Sequence, residues 1–247
     1  MRLITLNIWC GKNFLLGSLI DFLKTNSKST DVFCFQEVLD NEKGINSVVF
    51  RDGTEDVVAQ IRAALPDFVG YSAIPQVNER GLATFIKKDW KVDSIEDQYV
   101  YGTKNSMSDD SWFTIGINML YTKISKGEKF NIWNLHGAFV KPDKKDYPKT
   151  IEQSNNIKKI ISGVNGKRIL CGDFNLDPDT ESVRILESIP LKNLVIDYGI
   201  TNTRSKYYEL PARFADYIMP SEEVNVKDFK VLQDEVSDHL PLLLDCE

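Results

Sequence analysis

The stretch Cys171-Gly172-Asp173-Phe174-Asn175-Leu176-Asp177-Pro178 constrains this chain more than any other. It follows the apolar run Arg168 to Cys171 and precedes a helix-like segment from Thr180, so it reads as a buried strand that ends in a turn. Glycine at 172 permits a tight or left-handed backbone there, and Asp173 and Asn175, two positions apart, then project together from the sheet edge. A carboxylate beside an amide suits a phosphate or a hard cation. The same residues suit an Asx turn closed by Pro178, and taken alone they leave both readings open.

Other strands end in the same manner. Residues Arg2 to Trp9 alternate as a strand does, with Asn7 near the end; Asn7 is either a ligand at the sheet edge or a turn opener ahead of Gly11. Phe14 to Lys24 has helical spacing, and Asp31 to Glu37 returns as the apolar strand Val32-Phe33-Cys34-Phe35. Glu37 directly after those residues must be exposed, paired or metal-bound. The polar segment Asn41 to Thr54 reads as a loop and Glu55 to Leu65 as a helix closed by Pro66. Phe68 to Ile74 and Gly81 to Lys87 read as neighbouring strands joined near Asn78-Glu79-Arg80, where an exposed ion pair is the simplest account.

The second half continues the pattern. Tyr99 to Asp110 reads as a loop and Ser111 to Ile124 as one long strand, in which Trp112 and Phe113 either pack in the core or stack a base. Lys129 to His136 is a strand with His136 at its end, followed by the basic run Lys141 to Lys149, either a solvated loop or a steering strip for phosphate. Ile151 to Ser162 and Ser182 to Ile189 read as helices. Arg213 to Met219 is an apolar strand holding a carboxylate, Asp216, which requires a partner. After a further strand, Val226 to Leu232, Ser237-Asp238-His239-Leu240-Pro241 opens the last apolar run.

Composition narrows the class. With 247 residues and 42% hydrophobic content the chain is able to bury a large core, and one domain over 1–247 is expected. Apolar runs fall short of the roughly 18 residues of a membrane span, and the N-terminus lacks a signal-peptide pattern, so a cytoplasmic protein without a transmembrane segment, acting as a monomer, is expected. Four cysteines without CxxC spacing suggest reduced, buried thiols rather than zinc or disulfides. A net charge of −6 argues against a surface coated in basic residues, though not against a local basic strip.

The chain has two histidines, His136 and His239, and both border strand ends, as do the carboxylates and amides above. Hard oxygen donors favour Mg²⁺, or Mn²⁺, over zinc. In this order, Leu-Asn-Ile at Asn7, Phe-Gln-Glu-Val at Glu37, Gly-Asp-Phe-Asn at Asp173 and Asn175, Asp-Tyr-Ile at Asp216 and Ser-Asp-His-Leu-Pro at His239 resemble the endonuclease/exonuclease/phosphatase superfamily across nearly the whole chain.

That resemblance implies an α/β fold, a four-layer sandwich of two mixed β-sheets flanked by helices as in deoxyribonuclease I, and metal-dependent hydrolysis of phosphate esters. Carried over residue by residue, it implies Glu37 as principal Mg²⁺ ligand with Asn7 beside it, and Asp238 as a further metal-side carboxylate. Asp173 and Asn175 are implied to position water and phosphate, and Asp216 to orient His239. His136 would donate to a phosphate oxygen, partnered by Glu79 in Asn-Glu-Arg-Gly as in pancreatic-type deoxyribonucleases. Either His239 or Asp173 serves as the base. Arg213 lies three positions before Asp216, where the family's basic residue lies two before. The expected activity is a nuclease acting on nucleic acid; the alternatives are a phosphomonoesterase or phospholipid-type phosphodiesterase, and an inactive binding protein on the same fold.

Overall fold

The computed structural model describes residues 1–40, 53, 56–75, 80–103, 107–108, 111–114 and 116–247, with the side chains of 107–108 and 111–114 excepted. Its elements in chain order are β1 (Arg2–Asn7), a 3₁₀ turn (Trp9–Gly11), α1 (Leu16–Ser27), β2 (Val32–Val38), α2 (Val57–Ala64), β3 (Phe68–Ala73), β4 (Gly81–Lys87) and β5 (Lys91–Tyr101). There follow β6 (Met107–Ser108), β7 (Ser111–Thr114), β8 (Ile117–Lys126), β9 (Glu128–His136), α3 (Pro148–Ser162) and β10 (Lys167–Asp173). The chain closes with α4 (Glu181–Glu187), α5 (Leu194–Asp197), β11 (Asp216–Pro220), β12 (Val226–Val231) and β13 (Leu242–Cys246).

These strands form one sheet in the order β12-β13-β1-β2-β4-β3 and another in the order β11-β10-β9-β8-β5, with β6 and β7 paired apart. Each large sheet is mixed, because β1 runs parallel to β2, and β9 to β10, while their other neighbours run antiparallel. The two parallel crossovers carry α1 and α3, as such connections require.

Between the sheets lies a core in which Leu3, Val32 and Cys34 meet Ile132, Ile169 and Cys171. Leu19, Phe22, Leu23, Val57 and Ile61 from α1 and α2 cover the outer face of the first sheet against Ile4, Leu6, Phe33 and Phe35. Ile157, Ile161, Val183 and Leu186 from α3 and α4 pack with the second. The result is the four-layer sandwich of two mixed sheets flanked by helices. A polar clip also joins the sheets: Gln36 Nε2 donates to Asn134 Oδ1 at 2.6 Å, and Asn134 Nδ2 donates to the carbonyls of Phe35 and Ala83 at 3.0 Å each. It sits one residue before Glu37 and two before His136, so it fixes the spacing between the two strand ends.

Two elements depart from the sequence reading. Lys91–Tyr101 is a strand at the edge of its sheet, with most side chains partly or fully in water, so its Asp and Glu residues mask the strand pattern. Ser111 to Ile124 is not one strand: β7 pairs with β6 and β8 with β9, and Gly116 precedes β8 where a Cβ would lie 2.4 Å from the Thr103 carbonyl oxygen. Most of the loop expected over Asn41 to Thr54 falls outside the described residues, as do the side chains of Trp112 and Phe113.

Candidate active site

Strand register alone assembles half of the site. Asp173 pairs with His136 across the parallel β9–β10 ladder and with Asp216 across the antiparallel β10–β11 ladder, so these residues form one row over three adjacent strands. Glycine precedes Asp173 for a steric reason: Gly172 has φ +129°, and a Cβ there would lie 2.1 Å from the Leu135 carbonyl oxygen. The Asx turn is present, and it leaves the second Asp173 oxygen facing the other site residues. Asp173 Oδ1 accepts the backbone N–H of Asn175 at 2.8 Å, an Asx turn, while Oδ2 accepts from Asn7 Nδ2 at 2.9 Å and faces His239 Nε2 at 3.6 Å and His136 Nε2 at 3.8 Å.

The first sheet supplies the opposite wall. Glu37 is the extra residue of a β-bulge, since Gln36 pairs with Leu82 and Val38 with Gly81, and its φ of +57° is left-handed. A bulge of this kind re-aims a side chain, here toward the cleft. Glu37 Oε2 accepts from Arg80 at 2.5 Å and Oε1 lies 3.7 Å from His136 Nε2. Burial opposes ionisation of Glu37, but Arg80 and then His136 and His239 outweigh it and pull its carboxyl down to about 2.

His239 is held from behind. Its Nδ1 lies 2.8 and 2.9 Å from the two Asp216 oxygens, and Thr203 Oγ1 donates to Asp216 at 3.0 Å. The Arg204 guanidinium meets Nε2 on the other side, which assigns the proton to Nδ1 and the lone pair to Nε2. Burial favours neutral His239, yet the Asp216 charge outweighs it and raises the imidazole above its usual range. Among the described residues, His136 has no partner that close; burial dominates and lowers it. Asp238, beside Arg204 at 3.7 Å and His239 Nε2 at 3.9 Å, is raised by burial and by the charge of Glu37.

These groups line one cleft of about 800 Å³, with Glu37, His136, Asp173, Asn175, Asp238 and His239 on its walls. Asn7 lies behind Asp173, its amide oxygen accepting the Trp9 N–H at 3.0 Å. Asp216 lies behind His239. Glu79 falls outside the described residues. Arg213 is exposed and lines a different cavity with Lys145 and Asp177.

Four cations line the cleft: Lys144 and Lys149 come from the run that reads as either a solvated loop or a steering strip, whereas Arg80 and Arg204 have no place at the site in the sequence reading. Lys144 is not in a solvated strip. It is buried at φ +54°, donates to Asn175 Oδ1 and lies 4.4 Å from the centroid of the Phe139 ring. Arg204 is buried against the Tyr208 ring, 3.9 Å from its centroid. Among the described residues, its Nε and the Tyr208 hydroxyl are buried without a hydrogen-bond partner in the chain. Such atoms suit an anion entering the cleft.

For a divalent cation, the donors on the walls are hard oxygens. Glu37, Asp173 and Asp238 bring such oxygens to one cleft, so the donor set fits a hard divalent ion. Asp173, Asp216 and His239 also bring ligand atoms within 4.8 Å of one another. In that group both Asp216 oxygens already face His239 Nδ1, an arrangement that orients a histidine rather than leaving it open to metal.

A model of the Endonuclease/Exonuclease/phosphatase family matches residues 4–239 of this chain. No curated protein matches it. The fold is similar to that of the endonuclease/exonuclease/phosphatase from Bacteroides vulgatus, 18% identical, covering 100% of this chain and 98% of that one with a TM-score of 0.76. It is similar also to the Bacteroides thetaiotaomicron mannosyl-6-phosphatase, at 17% identity, 100% and 99% coverage and a TM-score of 0.74. D. rerio TDP2 complexed with single strand DNA product aligns at 12% identity, 100% and 98% coverage and a TM-score of 0.71.

Proposed function

This chain belongs to the endonuclease/exonuclease/phosphatase family, whose members are metal-dependent phosphoester hydrolases, and we propose that its substrate is a phosphodiester of nucleic acid. The observation that carries the reading is the pair of strand-end walls: Asp216–His239 beside Asp173 on one side and Glu37 on the other, in a cleft far larger than a phosphate and rimmed by Tyr101, Phe139 and Lys149. Rings and ammonium groups along such a rim suit bases and phosphates.

His239, with its lone pair on Nε2, takes the proton of the attacking water, and Asp216 stabilises the imidazolium that forms. Asp173, fixed by Asn7 and by its own turn, orients that water. His136 donates to a phosphate oxygen, and Asn175, tied through Nδ2 to the Gly137 carbonyl at 3.0 Å, positions the phosphate beside it. Arg204 and Lys144 neutralise charge that builds on the phosphoryl oxygens. Glu37 and Asp238, with Asn7 nearby, would hold Mg²⁺ or Mn²⁺, which supplies Lewis-acid stabilisation of that same charge. Glu79 is assigned by resemblance alone as the partner of His136. We also read the chain as one catalytic domain and a cytoplasmic monomer; its four free, buried cysteines support a reducing compartment.

A second reading, a phosphomonoesterase or phospholipid-type phosphodiesterase, is favoured by Lys144 and Arg204, two cations buried at the cleft that match the double charge of a terminal phosphate. Product release with Mg²⁺ from single- and double-stranded DNA, RNA, sugar and inositol phosphates and sphingomyelin separates the two. Cleavage of strands supports the first reading, and activity confined to small or lipid esters overturns it.

A further inference from the structure

Outside the groups used above, three aromatic rings form a row on the surface. The Trp9 and Phe14 centroids lie 6.1 Å apart at 88°, and those of Phe14 and Tyr207 lie 5.7 Å apart at 71°. Phe14 is 62% exposed, the most exposed large apolar side chain among the described residues. Apolar surface held in water beside a site marks a contact region. Lysines lie over both outer rings, Lys12 at 5.1 Å from the Trp9 centroid and Lys206 at 5.1 Å from that of Tyr207; Lys206 also pairs with Glu235.

The row is continuous with the cleft, because Trp9 lines both. Its backbone is tied to the site: Trp9 and Cys10 have φ of +49° and +57°, a left-handed conformation disfavoured for such side chains, and the Trp9 N–H is held by Asn7, the residue that also holds Asp173. Rings turned edge to face, with an ammonium group over each outer ring, suit flat bases joined by phosphates.

We infer that Trp9, Phe14 and Tyr207 form a stacking subsite for an unpaired base of single-stranded nucleic acid, with Lys12 and Lys206 drawing its flanking phosphates. The inference deepens the nuclease reading and rests on it. The test is fluorescence anisotropy in chelator, where no cleavage occurs, comparing labelled oligothymidylate with an abasic strand of equal length and with mannose 6-phosphate as competitor. The wild-type protein should prefer the base-bearing strand about tenfold, and Phe14→Ala or Tyr207→Ala should erase most of that preference. Equal binding of both strands, or a preference that survives both substitutions, overturns the subsite while leaving the nuclease reading intact. Binding of neither strand overturns both. Displacement by the sugar phosphate that depends on Phe14 assigns the row to a glycan and overturns the base subsite.

Discussion

The two ends of the sandwich turn the chain by opposite means. At the end away from the cleft, the β8–β9 hairpin and the entry to β10 place their left-handed residues at Gly127, φ +76°, and Gly166, φ +89°, where an added Cβ would meet nothing within 4 Å. At the cleft end, left-handed backbone falls on Trp9, Cys10, Glu37, Lys144 and Asn175, residues whose side chains face or support the site. Glycine is used where only a turn is needed, and strain is tolerated where a particular side chain must point inward. Three left-handed glycines also stand at the cleft end: Gly11 at φ +57°, Gly102 at φ +59°, and Gly172 at φ +129° against the Leu135 carbonyl, where no side chain fits.

Substitutions sharpen or break that contrast. Asp173→Asn keeps the shape of the buried Asx turn but removes the charge facing both histidines, and hydrolysis should fall by about a thousandfold with an unchanged circular dichroism spectrum. Gly172→Ala forces β9 and β10 apart, and denaturant unfolding should show a loss of about 3 kcal/mol or more. Gly127→Ala, the same change at the far end, should cost only about 1 kcal/mol and leave turnover alone, since its methyl group enters open space. Glu37→Gly should abolish activity while the melting temperature changes little, because relief of the left-handed strain offsets loss of the Arg80 ion pair. Equal losses at Gly172 and Gly127, or a marked loss of stability in Glu37→Gly, would remove the distinction between the ends.

Strand ends were the legible part of the sequence. Apolar runs that stop abruptly at Asn7, Glu37, His136 and Asp173 announce a sheet edge, because alternation and burial are local properties. The edge strand Lys91–Tyr101 was not legible, since a strand half in water carries the charges of a loop. Nor was it legible which cations reach the cleft. Lys144 sits in a run of lysines where only a left-handed turn separates the one that is buried from its exposed neighbours Lys141 and Lys145. Arg204 lies in a polar loop and reaches the site through a bridge to His239, a contact 35 residues away that no local pattern encodes. The inter-sheet clip of Gln36 and Asn134 is hidden for the same reason.

Cleavage of a DNA strand by chelator-treated protein, before and after Mg²⁺ is restored and beside Glu37→Gln, tests the central claim that the carboxylate and histidine walls act as one metal-assisted hydrolytic site. The account requires no product in chelator, product on restoring Mg²⁺, and a loss of at least about a hundredfold in the variant. Strand cleavage that persists in chelator, or that Glu37→Gln leaves at the wild-type rate, would contradict it.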